Sequence, residues 1–446
     1  MKIVIAGAGA IGFHLAELLS KENQDITLID SNEEVLTQVK RNLDILTIQG
    51  DAASFPVLEQ AEINKSKLFI SVTTSEKTNL LSAIIAKQLG AKKTIARISD
   101  MGHLEEANEE RFHQMGIDVL ISPERLAGME IKRLLQRASF TDLFEFENGQ
   151  ISVIGFTLDN NCLLNNKSFH DIANAAEQRG FRCIALLRGH DTLIPSDNIT
   201  LHKGDHLYIS APKEYIEDAM KFVGKQIKPI KRVMIVGGSN LALRTAQQIE
   251  TLYDVKIVMN DEKKGKYFLQ NLAKTMIICA DPSDIEVLKE EGLENTDAFV
   301  ALTPNSETNI ITSLMAEELG VYKTIAQVEN VNYTHISQNI GIDTIINKKL
   351  VAANNIFRFV RKGKVEAIAS LHGVDAEIIE FNVHKKNRLL VHSIADLHLP
   401  RKSVIAGIVR NNKGIVPDLN FHLQINDKVI ILALPEAIPQ IEEIFK

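Results

Sequence analysis

An α/β fold, with two tandem parallel sheets each followed by a small α+β module, is predicted by three observations. The chain repeats itself, short β-branched runs alternate with amphipathic stretches in both copies, and a glycine-rich turn separates the first run from the first helix. The repeat sets the domain count. Thr78-Asn79-Leu80 is answered 230 positions later by Thr308-Asn309-Ile310, and Gln88-Leu89-Gly90 by Glu318-Leu319-Gly320. Lys93-Thr94-Ile95-Ala96-Arg97 is answered by Lys323-Thr324-Ile325-Ala326-Gln327. Further on, Gly116-Ile117-Asp118 matches Gly341-Ile342-Asp343, and Lys203-Gly204-Asp205 matches Ile425-Asn426-Asp427, by which point the spacing has shrunk to 222.

In the first copy, strands are expected at Ile3 to Ile5, Ile26 to Ile29, Ile45 to Ile48, Leu68 to Val72, Thr94 to Ile98 and Val119 to Ile121, with helical stretches between them. Such a βαβ series folds as a parallel sheet covered on both faces. The second copy supplies Val233 to Val236, Val255 to Val258, Met276 to Ile278, Ala298 to Leu302, Thr324 to Val328 and Thr344 to Ile346. A connecting helix follows each sheet, Pro123 to Arg137 and Lys348 to Arg361. Then come two strand-rich modules. The first has strands at Ile151 to Leu158, Cys183 to Arg188 and His206 to Ile209 around a helix near Asp171 to Gln178; the second has strands at Ala376 to Val383, Val404 to Val409 and Lys428 to Leu432. The expected domains are 1–122, 123–224, 231–347 and 348–446, with a short linker near Gly224 to Lys231 in which Pro229 breaks the preceding helix.

Composition excludes several function classes. Hydrophobic residues make up 45% and charged residues 24% of 446, which is globular and leaves no room for a long disordered tail. The net charge is −7 and no lysine-arginine stripe tracks a phosphate backbone, so nucleic acid is not an expected partner. Met1-Lys2-Ile3-Val4-Ile5 enters a strand pattern at once, without the features of a signal peptide. No apolar stretch reaches the roughly 18 residues a membrane-spanning helix needs. Cys162, Cys183 and Cys279 form no C-x-x-C pair and suggest neither a disulfide framework nor a zinc site.

The residues that carry chemistry are Gly7-Ala8-Gly9-Ala10-Ile11-Gly12, a G-x-G-x-x-G between strand and helix. Gly7 permits the tight turn, Gly9 lets backbone approach a pyrophosphate, and Gly12 lets helix and strand pack closely. The helix then aims its free N–H groups at the phosphates. Asp30 closes the second strand, where a carboxylate accepts both ribose hydroxyls and repels a 2′-phosphate, so the Rossmann-type unit is expected to prefer NAD(H) over NADP(H). Asp51, the loop Thr73-Thr74-Ser75-Glu76 and Arg97 stand at carboxyl ends of strands, where ligands bind in open α/β sheets. The second copy departs from this pattern: Gly237 is kept, Ser239 replaces Gly9, Ala242 replaces Gly12, Asn260 replaces Asp30, and Gln327 replaces Arg97, while Asp281 stands for Asp51. A weaker, altered or empty second site is expected.

These features together resemble the TrkA family, the peripheral Trk-system potassium-uptake subunits with duplicated RCK (KTN) domains. The resemblance spans the whole chain and rests on Gly7, Gly9 and Gly12 with Asp30, on Gly50-Asp51-Ala52, on Glu76-Lys77-Thr78-Asn79 and on Ile95-Ala96-Arg97. It implies a regulatory protein rather than an enzyme, with each small module an RCK C-terminal subdomain. It also implies that NAD(H), and ATP or ADP, contact Gly7, Gly9, Gly12, Asp30, Asp51, Thr73 and Arg97. The implied partner is an integral membrane potassium-conducting subunit. The protein would sit on the cytoplasmic face of the membrane, as a homotetramer or dimer of dimers.

Two rivals share the glycine motif. An NAD-dependent dehydrogenase needs a proton donor facing the nicotinamide. His14, His113, His190 and His206 occur in no partnered pattern. A redox-sensing transcription factor needs a basic recognition helix, and none is evident.

Overall fold

The computed structural model describes residues 1–20, 24–136, 142–158, 162–189, 191–194, 199–224, 228–330, 344–361, 367–370, 376–383, 390 and 392–445. Strands β1 (Lys2–Ala6), β2 (Asp25–Asp30), β3 (Leu46–Gln49), β4 (Leu68–Ser71), β5 (Lys93–Arg97) and β6 (Val119–Ile121) form a parallel sheet in the order β3-β2-β1-β4-β5-β6. Ile3, Val4 and Ile5 are all fully buried, since helices cover both faces and a strand between them must be apolar on both sides.

Strands β7 (Asp142–Phe146), β8 (Ile151–Thr157), β9 (Arg182–Arg188), β10 (Asp191–Leu193) and β11 (His206–Pro212) make an antiparallel sheet in the order β10-β9-β11-β8-β7. The second copy repeats both sheets. Its β12 (Arg232–Val236), β13 (Asp254–Met259), β14 (Met276–Cys279), β15 (Ala298–Ala301), β16 (Lys323–Gln327) and β17 (Thr344–Ile346) run in the order β14-β13-β12-β15-β16-β17. Its β18 (Ala367–Ser370), β19 (Glu377–Asn382), β20 (Ser403–Arg410), β21 (Lys413–Ile415) and β22 (Lys428–Ala433) run in the order β18-β19-β22-β20-β21.

Four strands, β7, β10, β18 and β21, were not expected from the sequence. All are edges and none exceeds five residues, so each offers little apolar run to read. Two of their turns do carry a legible signal: Asn148-Gly149 joins β7 to β8 and Asn411-Asn412 joins β20 to β21, all four residues with positive φ. A second correction concerns the linker. The helix Ile216–Val223 is ended by Gly224, whose φ of 84° is the left-handed cap, and not by Pro229.

The two copies exchange their connecting helices. Ala127, Ile131, Leu134 and Leu135 of the first connecting helix (Pro123–Gln136) complete the core of the second parallel sheet. Ala352, Ala353, Ile356 and Phe357 of the second (Lys348–Arg361) complete the core of the first. Each buried Ile or Phe contributes about 2 kcal/mol, so neither sheet is finished without the other copy. The helices meet closely at Gly128, where an added Cβ would lie in ordinary contact with the Thr245 backbone nitrogen at 3.5 Å and 3.2 Å from the Gln248 amide.

The small modules also pack together. Phe146, Ile151, Val153 and Tyr208 share a core with Ile378, Ala406, Ile430 and Leu432. The Arg182 guanidinium donates to the carbonyls of Ile405 (2.8 Å) and Pro417 (2.6 Å) across that seam. Cys183 lies fully buried in the first module, and burial pushes its thiol up to about 12, which removes it from thiolate chemistry. Among the described residues, no helix is long and apolar enough to cross a membrane.

Candidate functional site

Strand order reverses direction between β1 and β4, so the loops leaving these neighbours diverge and open a crevice at their carboxyl ends. A cavity of about 650 Å³ occupies it. Gly7, Gly9, Asp30, Asp51, Thr73 and Arg97 all line this cavity; Gly12 does not.

The three glycines of the motif are held for different reasons. Gly7 has φ of 102°, and a Cβ there would lie 2.8 Å from the Thr73 backbone nitrogen. Gly12 would place a Cβ 1.8 Å from the Gly7 carbonyl oxygen. Both are needed by the protein's own packing. Around Gly9, a Cβ would meet no heavy atom within 4 Å. The fold itself gives no reason for a glycine at position 9, whereas a ligand lying against the loop does.

Asp30 shapes the loop as well as facing the cavity. Its Oδ2 accepts from Ala8 N (2.6 Å) and its Oδ1 from Asn32 N (2.9 Å), which ties the glycine turn to the end of β2. Asp51 accepts from Ala53 N at 2.9 Å within its own turn, and Ser54, not Asp51, is the N-cap of the following helix. The guanidinium of Arg97, at the end of β5, has no protein partner among the described residues. Ordered cations facing a cavity without a counter-charge suit an anionic ligand.

One organising residue was missed by sequence reasoning. Asn79, 1% exposed, accepts at Oδ1 from Thr73 N (2.9 Å), Thr73 Oγ1 (2.7 Å) and Ser71 Oγ (3.0 Å). Its amide donates to the carbonyls of Thr73 (3.1 Å) and Arg97 (3.0 Å), bracketing the two strand ends that flank the crevice. The bracket recurs at Asn309, which binds Thr303 and the Gln327 carbonyl, and its presence in both repeats was the available signal. Thr74 and Ser75 face the cavity as expected, but Glu76 does not; its Oε2 accepts from Ser99 N (2.6 Å) and Asp100 N (2.9 Å).

Lys349, from the first turn of the second connecting helix, also lines the cavity. It pairs with Glu329 at 2.6 Å, and Lys348 approaches the same carboxylate at 3.3 Å. Burial works to raise the Glu329 carboxyl, but the two lysines prevail and hold it below the ordinary carboxylate range.

The corresponding groups of the second copy have local partners, and of them Gln327 is buried. Ser239 caps the helix Asn240–Ile249 by accepting from Ala242 N, and Asp261 caps the next by accepting from Lys264 N. Gln327, 3% exposed, donates to Glu329 Oε1 at 2.8 Å. Asp281 accepts from the N–H and hydroxyl of Ser283, which hold its carboxyl below the usual range. Among the described residues, none of the candidate histidines lines the first cavity. His14 lies 3.6 Å from Glu17, His113 faces a different cavity, His206 is bonded to Thr157, and His190 falls outside the described residues.

The comparison with known proteins agrees with this geometry. The TrkA-N domain pattern matches residues 3–123 and 233–348, and the TrkA-C domain pattern matches 153–224 and 378–446. The chain is 30% identical over 453 residues to the Trk system potassium uptake protein TrkA of Haemophilus influenzae, covering 100% of this chain and 99% of that protein. It is 29% identical over 447 residues to a Trk system potassium uptake protein TrkA homolog of Archaeoglobus fulgidus, covering 100% of both. In fold it is similar to the GsuK channel bound to NAD (TM-score 0.59, 14% identity, covering 100% of this chain and 78% of that one). It is likewise similar to GsuK bound to ADP (TM-score 0.51, 12% identity, covering 80% and 69%). With both domain types present twice in the same order over nearly its full length, the chain belongs to the TrkA family of Trk-system potassium-uptake proteins.

Proposed function

We propose that this chain is a nucleotide-responsive regulatory subunit of a membrane potassium-uptake system. Its ligand is NAD(H) or an adenine nucleotide such as ATP or ADP, held in the first unit's cavity by Gly7, Gly9, Asp30, Asp51, Thr73 and Arg97. Gly12 acts indirectly by letting helix and strand close up. The observation that carries the reading is Gly9, a glycine with open space where its side chain would be, at the mouth of a 650 Å³ cavity. The lining is also polarised: carboxylates of Asp30 and Asp51 stand on the β2–β3 side, and the cations of Arg97 and Lys349 are the lining's basic groups. Ribose hydroxyls suit the first side and phosphates suit the glycine turn and the cations.

The reading is a sensor and not a dehydrogenase. Among the described residues lining the cavity there is no histidine, tyrosine or cysteine, and its one lysine stands with Arg97 as a cation suited to phosphate. Proton transfer to a substrate at the nicotinamide would lack a donor. The four domains 1–122, 123–224, 231–347 and 348–446 form two units, of which the second binds nucleotide weakly or not at all. Its partner is an integral membrane potassium-conducting subunit of the Trk type, approached from the cytoplasmic side by a homotetramer or dimer of dimers. A ligand gates such a partner only by binding two conformations unequally; tenfold preference supplies about 1.4 kcal/mol per site, and several sites add. Linkage makes the test reciprocal: nucleotide affinity should change at least about threefold when the membrane subunit is present. Identical affinities with and without it would remove the gating role.

A further inference from the structure

We infer that Lys349 is a phosphate-binding residue which the second unit supplies to the first unit's cavity, and that its transfer from Glu329 to a bound phosphate couples the two units. The inference rests on the reading of that cavity as an adenine-nucleotide site. Among the described lining residues, Lys349 alone comes from outside the first parallel-sheet unit. It is carried there by the helix exchange that completes the first core with Ala352, Ala353, Ile356 and Phe357.

Its placement runs against the helix dipole. Lys348 and Lys349 open a helix, where the dipole disfavours positive charge, and the cap is already supplied by Asn347, whose Oδ1 accepts from Lys349 N and Leu350 N. Glu329 balances both lysines, with Glu124 at 3.8 Å from Lys348 as a distant second. The position is also where the repeat breaks its own rule. Asn347-Lys348-Lys349 aligns with Ser122-Pro123-Glu124, so the second copy carries a cation where the first carries an acid. A helix start that brings Lys349 to a cavity in which Arg97 is unpaired is complementary to a polyanion.

Glu329 gives the transfer a consequence. It stands just beyond β16, where its Oε1 accepts from Gln327 and its backbone N–H donates to Ser306 Oγ at 3.0 Å, so it belongs to the loops at the carboxyl ends of the second sheet. When phosphate takes Lys349, Glu329 keeps Lys348 and Gln327 but loses the shorter of its two bridges to the helix that spans into the first unit. Occupancy of one unit is thereby felt at the strand ends of the other.

Calorimetric titration of the full chain with ADP, and with adenosine as a phosphate-free probe, tests this. Lys349→Gln should weaken ADP about tenfold and leave adenosine unchanged, whereas Lys349→Arg should restore ADP to within about threefold of wild type. Glu329→Gln should tighten ADP several-fold, since the lysine no longer leaves a carboxylate to reach the phosphate. The inference is overturned if Lys349→Gln binds ADP as wild type does, or loses ADP and adenosine equally, which is what a packing role would give. In both cases the nucleotide site itself stands. Wild-type protein that binds neither probe would overturn the site and the inference together.

Discussion

Gly9→Val is expected to abolish nucleotide binding, by about a hundredfold or more, while the chain's thermal unfolding midpoint stays where it is. The separation of the two effects is the informative part. A Cβ at position 9 meets no heavy atom within 4 Å, and the backbone there accepts one readily, because Ser239 occupies the matching position of the second copy with ordinary φ and ψ of −83° and 161°. What a valine would displace is the ligand. Gly9→Ser, which copies the second unit, should fall between wild type and valine. By contrast Gly12→Ala would force the first helix away from the Gly7 carbonyl and should register as lost stability instead. Unaltered affinity in Gly9→Val would mean that nothing lies against the turn.

Asp427→Ala is expected to destabilise the second small module by about 3 kcal/mol, read as a drop in the first urea-unfolding midpoint of the full chain. Asp427 is 1% exposed and accepts from Arg410 Nε (2.9 Å), Arg410 Nη2 (2.7 Å) and Gln424 N (2.7 Å), while the guanidinium lies over the Phe421 ring. The same circuit joins Asp205 to Arg188 and His202 N in the first module. Removing the carboxylate strands a half-buried guanidinium and a backbone N–H. Asp427→Asn, which keeps an acceptor, should cost about half as much. A midpoint that moves by less than about 0.5 kcal/mol equivalent would reduce the pair to an ordinary surface contact.

That circuit also explains a pattern that was visible in the sequence before its cause was. Lys203-Gly204-Asp205 and Ile425-Asn426-Asp427 align because Gly204 and Asn426 both adopt positive φ, 86° and 69°, to turn the following aspartate inward. The strands of the two parallel sheets were legible to within a residue or two because burial on both faces writes an uninterrupted apolar run, as in Ile3-Val4-Ile5. Edges β10 and β21, three residues each, leave no comparable trace.

At the site, residues whose types are dictated by backbone geometry or ribose chemistry, such as Gly7, Gly9 and Asp30, could be placed from the motif alone. Asn79 was marked only by its recurrence as Asn309, and its role stayed hidden until the strand ends it brackets were brought beside it. Lys349 was hidden for a different reason. Helical periodicity reveals that a connecting helix has an apolar face, but not whose core that face completes, and only the exchange of helices brings a lysine from position 349 to a glycine turn at position 7.

One of the two units is expected to be a working nucleotide site, and the other, with Ser239 in place of Gly9 and a buried Gln327 in place of Arg97, is not. Titration of the purified full chain with ADP and with NADH, counted as ligand bound per chain, tests it most directly. The account predicts one site per chain, lost in Gly9→Val and retained in Ser239→Val, with neither ligand consumed. Two equivalent sites per chain, or binding that survives Gly9→Val, would contradict it.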